Sequence, residues 1–133
     1  MRRWRDQLRA PVIGAPMFLA SGVELMIAQC TSGIIGTIPA LNARPSAQFD
    51  DWLFEIEAAL AEWDRDHAET PAAPFGVNLI VHKSNPRLEE DLALCVAHKV
   101  PLVISSMGAR EDVNQAVQAY GGVTLHDVTN QAH

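Results

Sequence analysis

Short apolar, β-branched runs alternate with longer amphipathic runs along this chain, and that alternation limits its fold more than any other feature. The stretches 11–17 (PVIGAPM), 34–39 (IIGTIP), 75–81 (FGVNLIV), 101–106 (PLVISS) and 123–128 (VTLHDV) read as strands. Between them lie helical segments. Ser21 and Glu24 have capping-box spacing ahead of the first, whose apolar face carries Val23, Met26, Ile27 and Cys30 and which ends near Gly33. In 46–66, Phe49, Trp52, Leu53, Ile56, Leu60 and Trp63 recur at three- and four-residue spacing, predicting one long helix with a single apolar stripe. The prolines of 70–74 make an extended linker. Asn85-Pro86 reads as an N-cap and first helical residue, with Leu88, Leu92, Cys95 and Val96 on that helix's buried face. A last helix over 109–120 buries Val113, Ala116, Val117 and Tyr120 and stops at Gly121-Gly122.

The order is therefore βαβαβαβαβ. Strands joined through helices run parallel, and near-continuous apolar runs such as VNLIV suit strands covered on both faces. A doubly wound open sheet and part of a (β/α)8 barrel both satisfy this pattern. Periodicity alone does not choose between them.

With 133 residues, 48% apolar and 20% charged, the chain suits one globular domain. A net charge of −6 argues against nucleic acid as a partner. Arg2, Arg3, Arg5 and Arg9 form the one basic cluster, but Pro11, Gly14 and Pro16 interrupt the apolar stretch after it, unlike a secretory leader. No apolar run approaches the ~20 residues that span a bilayer, so no membrane partner and a cytoplasmic location are expected. Cys30 and Cys95 lack metal-site or disulfide spacing and read as two buried helix thiols.

Specific strings go further. PVIGAPM with a helix start after it, PFGVNLIV, and the long stretch 82–128 (HKSNPRLEEDLALCVAHKVPLVISSMGAREDVNQAVQAYGGVTLHDV) resemble, in order and spacing, the nitronate monooxygenase family, formerly called 2-nitropropane dioxygenases. The resemblance runs from Leu8 onward. It implies that residues 1–133 form the N-terminal portion of an FMN-dependent (β/α)8-barrel domain, an incomplete barrel of about five strands and four helices. It also implies oxidation of alkyl nitronates with O2, and FMN as cofactor. By the same resemblance the Ala15, Pro16 and Met17 backbone lies beside the flavin ring, and Asn78 hydrogen-bonds FMN. Physical chemistry agrees: Pro16 fixes its backbone where a planar ring could approach, Met17 is polarisable, and Asn78 puts an amide inside an apolar strand.

Other polar residues at strand ends are candidate pocket-lining groups: Thr37, His82, Ser105, His126 and Asp127. Alternation allows only one of Ser105-Ser106, and one of His126-Asp127, to face a barrel interior. His67 and His98 sit at helix ends and read as surface residues. The family's catalytic histidine and glycine-rich phosphate turns come after later strands; His133 is too early to match that base. The expectation is a chain holding half a site, inactive alone, with open sheet edges that invite self-association. Related FMN-barrel reductases, acting on an enoyl thioester or on a quinone with NAD(P)H, and a non-catalytic truncated fragment are the alternatives.

Overall fold

The computed structural model describes residues 4–130; Arg2, Arg3 and His133 lie outside them. Four parallel strands stand side by side in chain order: β1 (Gly36–Pro39), β2 (Phe75–Ile80), β3 (Leu102–Ser106) and β4 (Val123–His126). Helix α1 (Val23–Thr31) precedes β1, and a 3-10 turn (Ala40–Asn42) leads from β1 into α2 (Ser46–Asp66). The helices α3 (Leu88–Ala97) and α4 (Glu111–Ala119) make the later crossovers. Gly36 lies opposite Phe75, Gly76 opposite Leu102, and Leu102 opposite Val123.

Sequential strand order decides between the two architectures. Right-handed crossovers between successive neighbours put every helix on one face, and α1 touches α2, α2 touches α3, and α3 touches α4. A doubly wound sheet reverses its order partway; this one does not. The fold is an arc of a (β/α) barrel, with helices outside and the other sheet face turned inward.

The core follows the strand parity. Ile38, Val77, Leu79 and Val103 point outward and pack with Met26, Phe49, Leu53, Ile56 and Val113. The inward face carries a smaller cluster of Ile35, Leu102 and Trp4, joined by Ile13, Ile104 and Val123. At β1 the helix layer comes so close that a Cβ on Gly36 would lie 2.6 Å from the Met26 carbonyl oxygen. Gly33, with φ +89°, makes the left-handed turn between α1 and β1.

Several expected details differ. The first expected strand, 11–17, pairs only at the parallel bridge Ile13–Ile35, with Gly14 N–H donating to Ile35 O at 2.8 Å. Pro11 and Pro16 bracket it, and neither can donate to a ladder. The capping box does not form: Gly22 is the N-cap of α1 without a side-chain bond, and Ser21 Oγ accepts from Met17 N–H at 2.8 Å. Asn85 does not cap α3 either. Its Oδ1 accepts from Arg87 N–H and its amide donates to Ile80 O, so it ties off β2, and the helix begins at Leu88. Strand β4 stops at His126, and Val96 is exposed. The long helix α2 spans 46–66 as its stripe predicts.

Both cysteines are free and buried. Burial pushes the Cys30 thiol up to about 11 and Cys95 higher still. Neither is a nucleophile at neutral pH.

Candidate functional site

Barrel chemistry belongs to the C-terminal ends of the strands, and a cavity of about 430 Å³ lies there. Pro16 and Phe18 form its front wall, Pro39 and Leu41 one side, Asn78 and Ile80 the floor, and Ser84 to Arg87 and Met107 the rest. A cavity with mostly apolar walls and few polar groups suits an organic ligand.

Asn78 is the floor's polar centre. Its neighbours Val77 and Leu79 pack against the helices, so alternation turns Asn78 inward. The amide donates to Ile104 O at 3.0 Å and to Ser106 Oγ at 2.6 Å. Both N–H groups are thus used within the protein, which leaves Oδ1, an acceptor, as the free polar atom of the amide. Ser106 accepts from Asn78, which frees its own hydroxyl proton for donation.

The expected site residues separate into groups. Pro16 lines the cavity, whereas exposed Ala15 and Met17 are not part of its wall. Thr37 is buried, and its hydroxyl donates to Gly14 O, tying β1 to the 12–14 segment instead of lining a pocket. His82 is exposed and bonds within its own loop, Nδ1 to Ser84 Oγ at 2.8 Å; Ser84, not His82, reaches the cavity. Ser105 faces the helix layer, where its hydroxyl bonds His126 Nδ1, and Asn114 of α4 meets the other ring nitrogen at 3.2 Å. Strand parity therefore selects Ser106 over Ser105 for the inner face. His126 and Asp127 belong to a separate concavity of about 500 Å³ with Met107 and Gly108, not to the cavity over Asn78.

A second polar cluster braces the site from behind. Arg87, on the cavity wall, donates to Ala43 O at 2.5 Å, Ala40 O at 3.3 Å, Ser46 Oγ at 3.1 Å and Asp91 Oδ1 at 3.1 Å. Asp91 is fully buried, so its charge depends on this pairing. Arg87 is committed to the scaffold and leaves the cavity without a free cation from that residue.

His98 is no surface residue: its side chain is 7% exposed and bridges α3 to α2. Its ring nitrogens meet Glu57 at 2.9 Å and Asp50 at 2.6 Å. Burial disfavours the charged ring, but the Asp50 and Glu57 bonds outweigh it and raise its pKa above the ordinary histidine value. His67 stacks on Trp63 at 3.5 Å. Among the described residues no group of three His, Cys, Asp or Glu side chains is placed to hold a metal ion, and no helix is long and apolar enough to cross a membrane.

The arrangement defines a class of fold: a stretch of (β/α)8 barrel whose strand ends form one wall of a ligand cavity. Among solved structures, FabK from Thermotoga maritima matches with a TM-score of 0.76 and 19% identity, over 97% of this chain and 36% of that one. A point mutant of that FabK matches with a TM-score of 0.74 and 18% identity, over 97% of this chain and 38% of that one. This chain thus spans well under half the length of the structures it resembles. No protein-family model and no curated protein matches it.

Proposed function

We propose that this chain supplies the ring-facing wall of a flavin site in an FMN-dependent oxidoreductase of the nitronate monooxygenase kind, acting on alkyl nitronates with O2. One observation carries the reading: Asn78 sits on the floor of a mostly apolar strand-end cavity, with its amide N–H groups held by Ile104 O and Ser106 Oγ so that Oδ1 is left as an acceptor. Asn78 Oδ1 offers an acceptor, which suits a ring N–H on the polar edge of a flavin. Pro16, Phe18, Leu41 and Met107 offer apolar surface for its faces. Bound FMN would supply the electron-accepting chemistry; these side chains orient the ring and exclude water from it. The strings PVIGAPM and PFGVNLIV support the same reading from sequence.

A second reading is a related FMN-barrel reductase acting on an enoyl thioester or a quinone. The exposed apolar rim of Met17, Phe18, Leu19 and Met107 favours it, because such a rim suits a substrate with a long apolar tail.

If the described residues hold the flavin through its ring alone, the protein should bind riboflavin and FMN with similar affinities, within about tenfold. Titration followed by flavin fluorescence and the visible absorption band tests this. No response to either flavin would overturn the reading, and a strong preference for FMN would overturn the half-site description. Turnover of a nitronate against NADH plus quinone or enoyl thioester, in a preparation with the barrel completed, separates the two activities.

A further inference from the structure

The front wall of the cavity is a turn that packing does not hold. Met17, Phe18, Leu19 and Ala20 are all exposed, and Leu19 sits in the left-handed region at φ 63°, which a leucine rarely adopts. Something other than burial must fix the turn. The turn closes on itself through Ser21 N–H to Met17 O at 2.9 Å and Met17 N–H to Ser21 Oγ at 2.8 Å, and a distant residue ties it to the rest of the fold. Asn42, at the end of the 3-10 turn, donates to Met17 O at 3.0 Å and to Ser21 O at 2.8 Å, and its Oδ1 accepts from Leu19 N–H at 3.0 Å. A carboxamide alone offers an acceptor and two donors in one short plane; an aspartate would turn a negative oxygen on two carbonyls. Asn42 is itself anchored, because Arg87 grips Ala40 O and Ala43 O on either side of it.

We propose that Asn42 is the positioning residue of this cavity: it sets the Met17–Ser21 turn, and with it Phe18, against the Arg87 wall. The inference rests on the flavin reading for what fills the cavity, but not for how the wall is held. The polar relay Arg87–Asn42–Met17 then joins the two walls through hydrogen bonds, with Ala40 and Ala43 seated in the core beside Asn42.

The test is Asn42→Ala in the whole protein, read in two ways. By hydrogen exchange without ligand, the Leu19 amide should lose protection about tenfold or more, while amides of β2 and β3 stay unchanged. By titration, riboflavin affinity should fall about fivefold or more, with a visible band altered from that of the parent complex. Retained protection at Leu19 would overturn the proposal. Lost protection with unchanged affinity and spectrum would also overturn it, by reducing Asn42 to a local brace. If the parent protein binds no flavin, the flavin reading fails by itself, and exchange at Leu19 then decides the positioning claim alone.

Discussion

The amide of Asn78 donates to the hydroxyl of Ser106 at 2.6 Å, joining neighbouring strands on the inner face of the sheet. One residue earlier in the same strand, Ser105 points the other way and bonds His126 beneath α4. Two adjacent serines therefore serve two different layers.

Substituting each separately should give two distinct phenotypes. Ser106→Ala removes the hydroxyl that holds the Asn78 amide and should weaken riboflavin binding about fivefold, with little loss of stability. Ser105→Ala should cost about 1 kcal/mol of stability and leave riboflavin binding unchanged. Urea unfolding and flavin titration of both variants provide the check.

Asp91→Ala should be among the most destabilising polar substitutions. Asp91 is fully buried, accepts from Ser46 Oγ at 2.8 Å and pairs with Arg87. Its loss strands a mostly buried guanidinium, at about 3 kcal/mol. The measurement is the urea midpoint, and Arg87→Met in the same background should recover part of the loss.

His98 makes stability depend on pH in a defined direction. Its folded pKa is raised by Asp50 and Glu57, so the stabilisation is complete below the unfolded histidine value of about 6.5. It fades as pH climbs through the folded pKa. The carboxylates are 38% and 36% exposed, and screening limits the effect to about 1 kcal/mol. Comparing the protein with His98→Gln, the gap in unfolding free energy should be widest near pH ~5.5 and closed near pH ~9.

At Gly36 even one methyl group should not fit. A Cβ there meets the Met26 carbonyl at 2.6 Å and Cys30 Sγ at 3.0 Å, and backbone cannot step aside as a side chain can. Gly36→Ala should therefore cost about 2 kcal/mol or more, measurable as a lower thermal midpoint. Gly76→Ala, which faces only the flexible Leu102 side chain at 3.1 Å, should cost less.

Periodicity made the long elements legible. The stripe from Phe49 to Trp63 defined α2, and VNLIV and PLVIS defined buried strands, because burial on a regular element leaves a regular trace. What periodicity could not convey is parity. Nothing in the letters of Ser105-Ser106 says which faces inward; that comes from the register of Asn78 opposite Ile104. Local motifs misled for a related reason. Ser21 and Asn85 carry cap chemistry, but Met17 N–H and Ile80 O, supplied by the turn and the strand end, compete for them. Asn42 gave no signal, since its partners lie 21 to 25 residues away. His98 is at a helix end, as it reads, but its burial came only with α2 packed against it. Asn78 was visible as an amide in an apolar strand, and its partners were not.

The strictly sequential strand order bears on how the chain is made as well as on where its site lies. Each strand pairs with the one synthesised just before it, so every pairing closes a loop of only one helix and its connections. Loop closure of that size is entropically modest, and local topology favours quick assembly. During translation each strand–helix unit can dock on its predecessor as soon as it emerges. The cavity floor would then take shape in the order β2, β3, with Asn78 waiting for Ser106 to arrive.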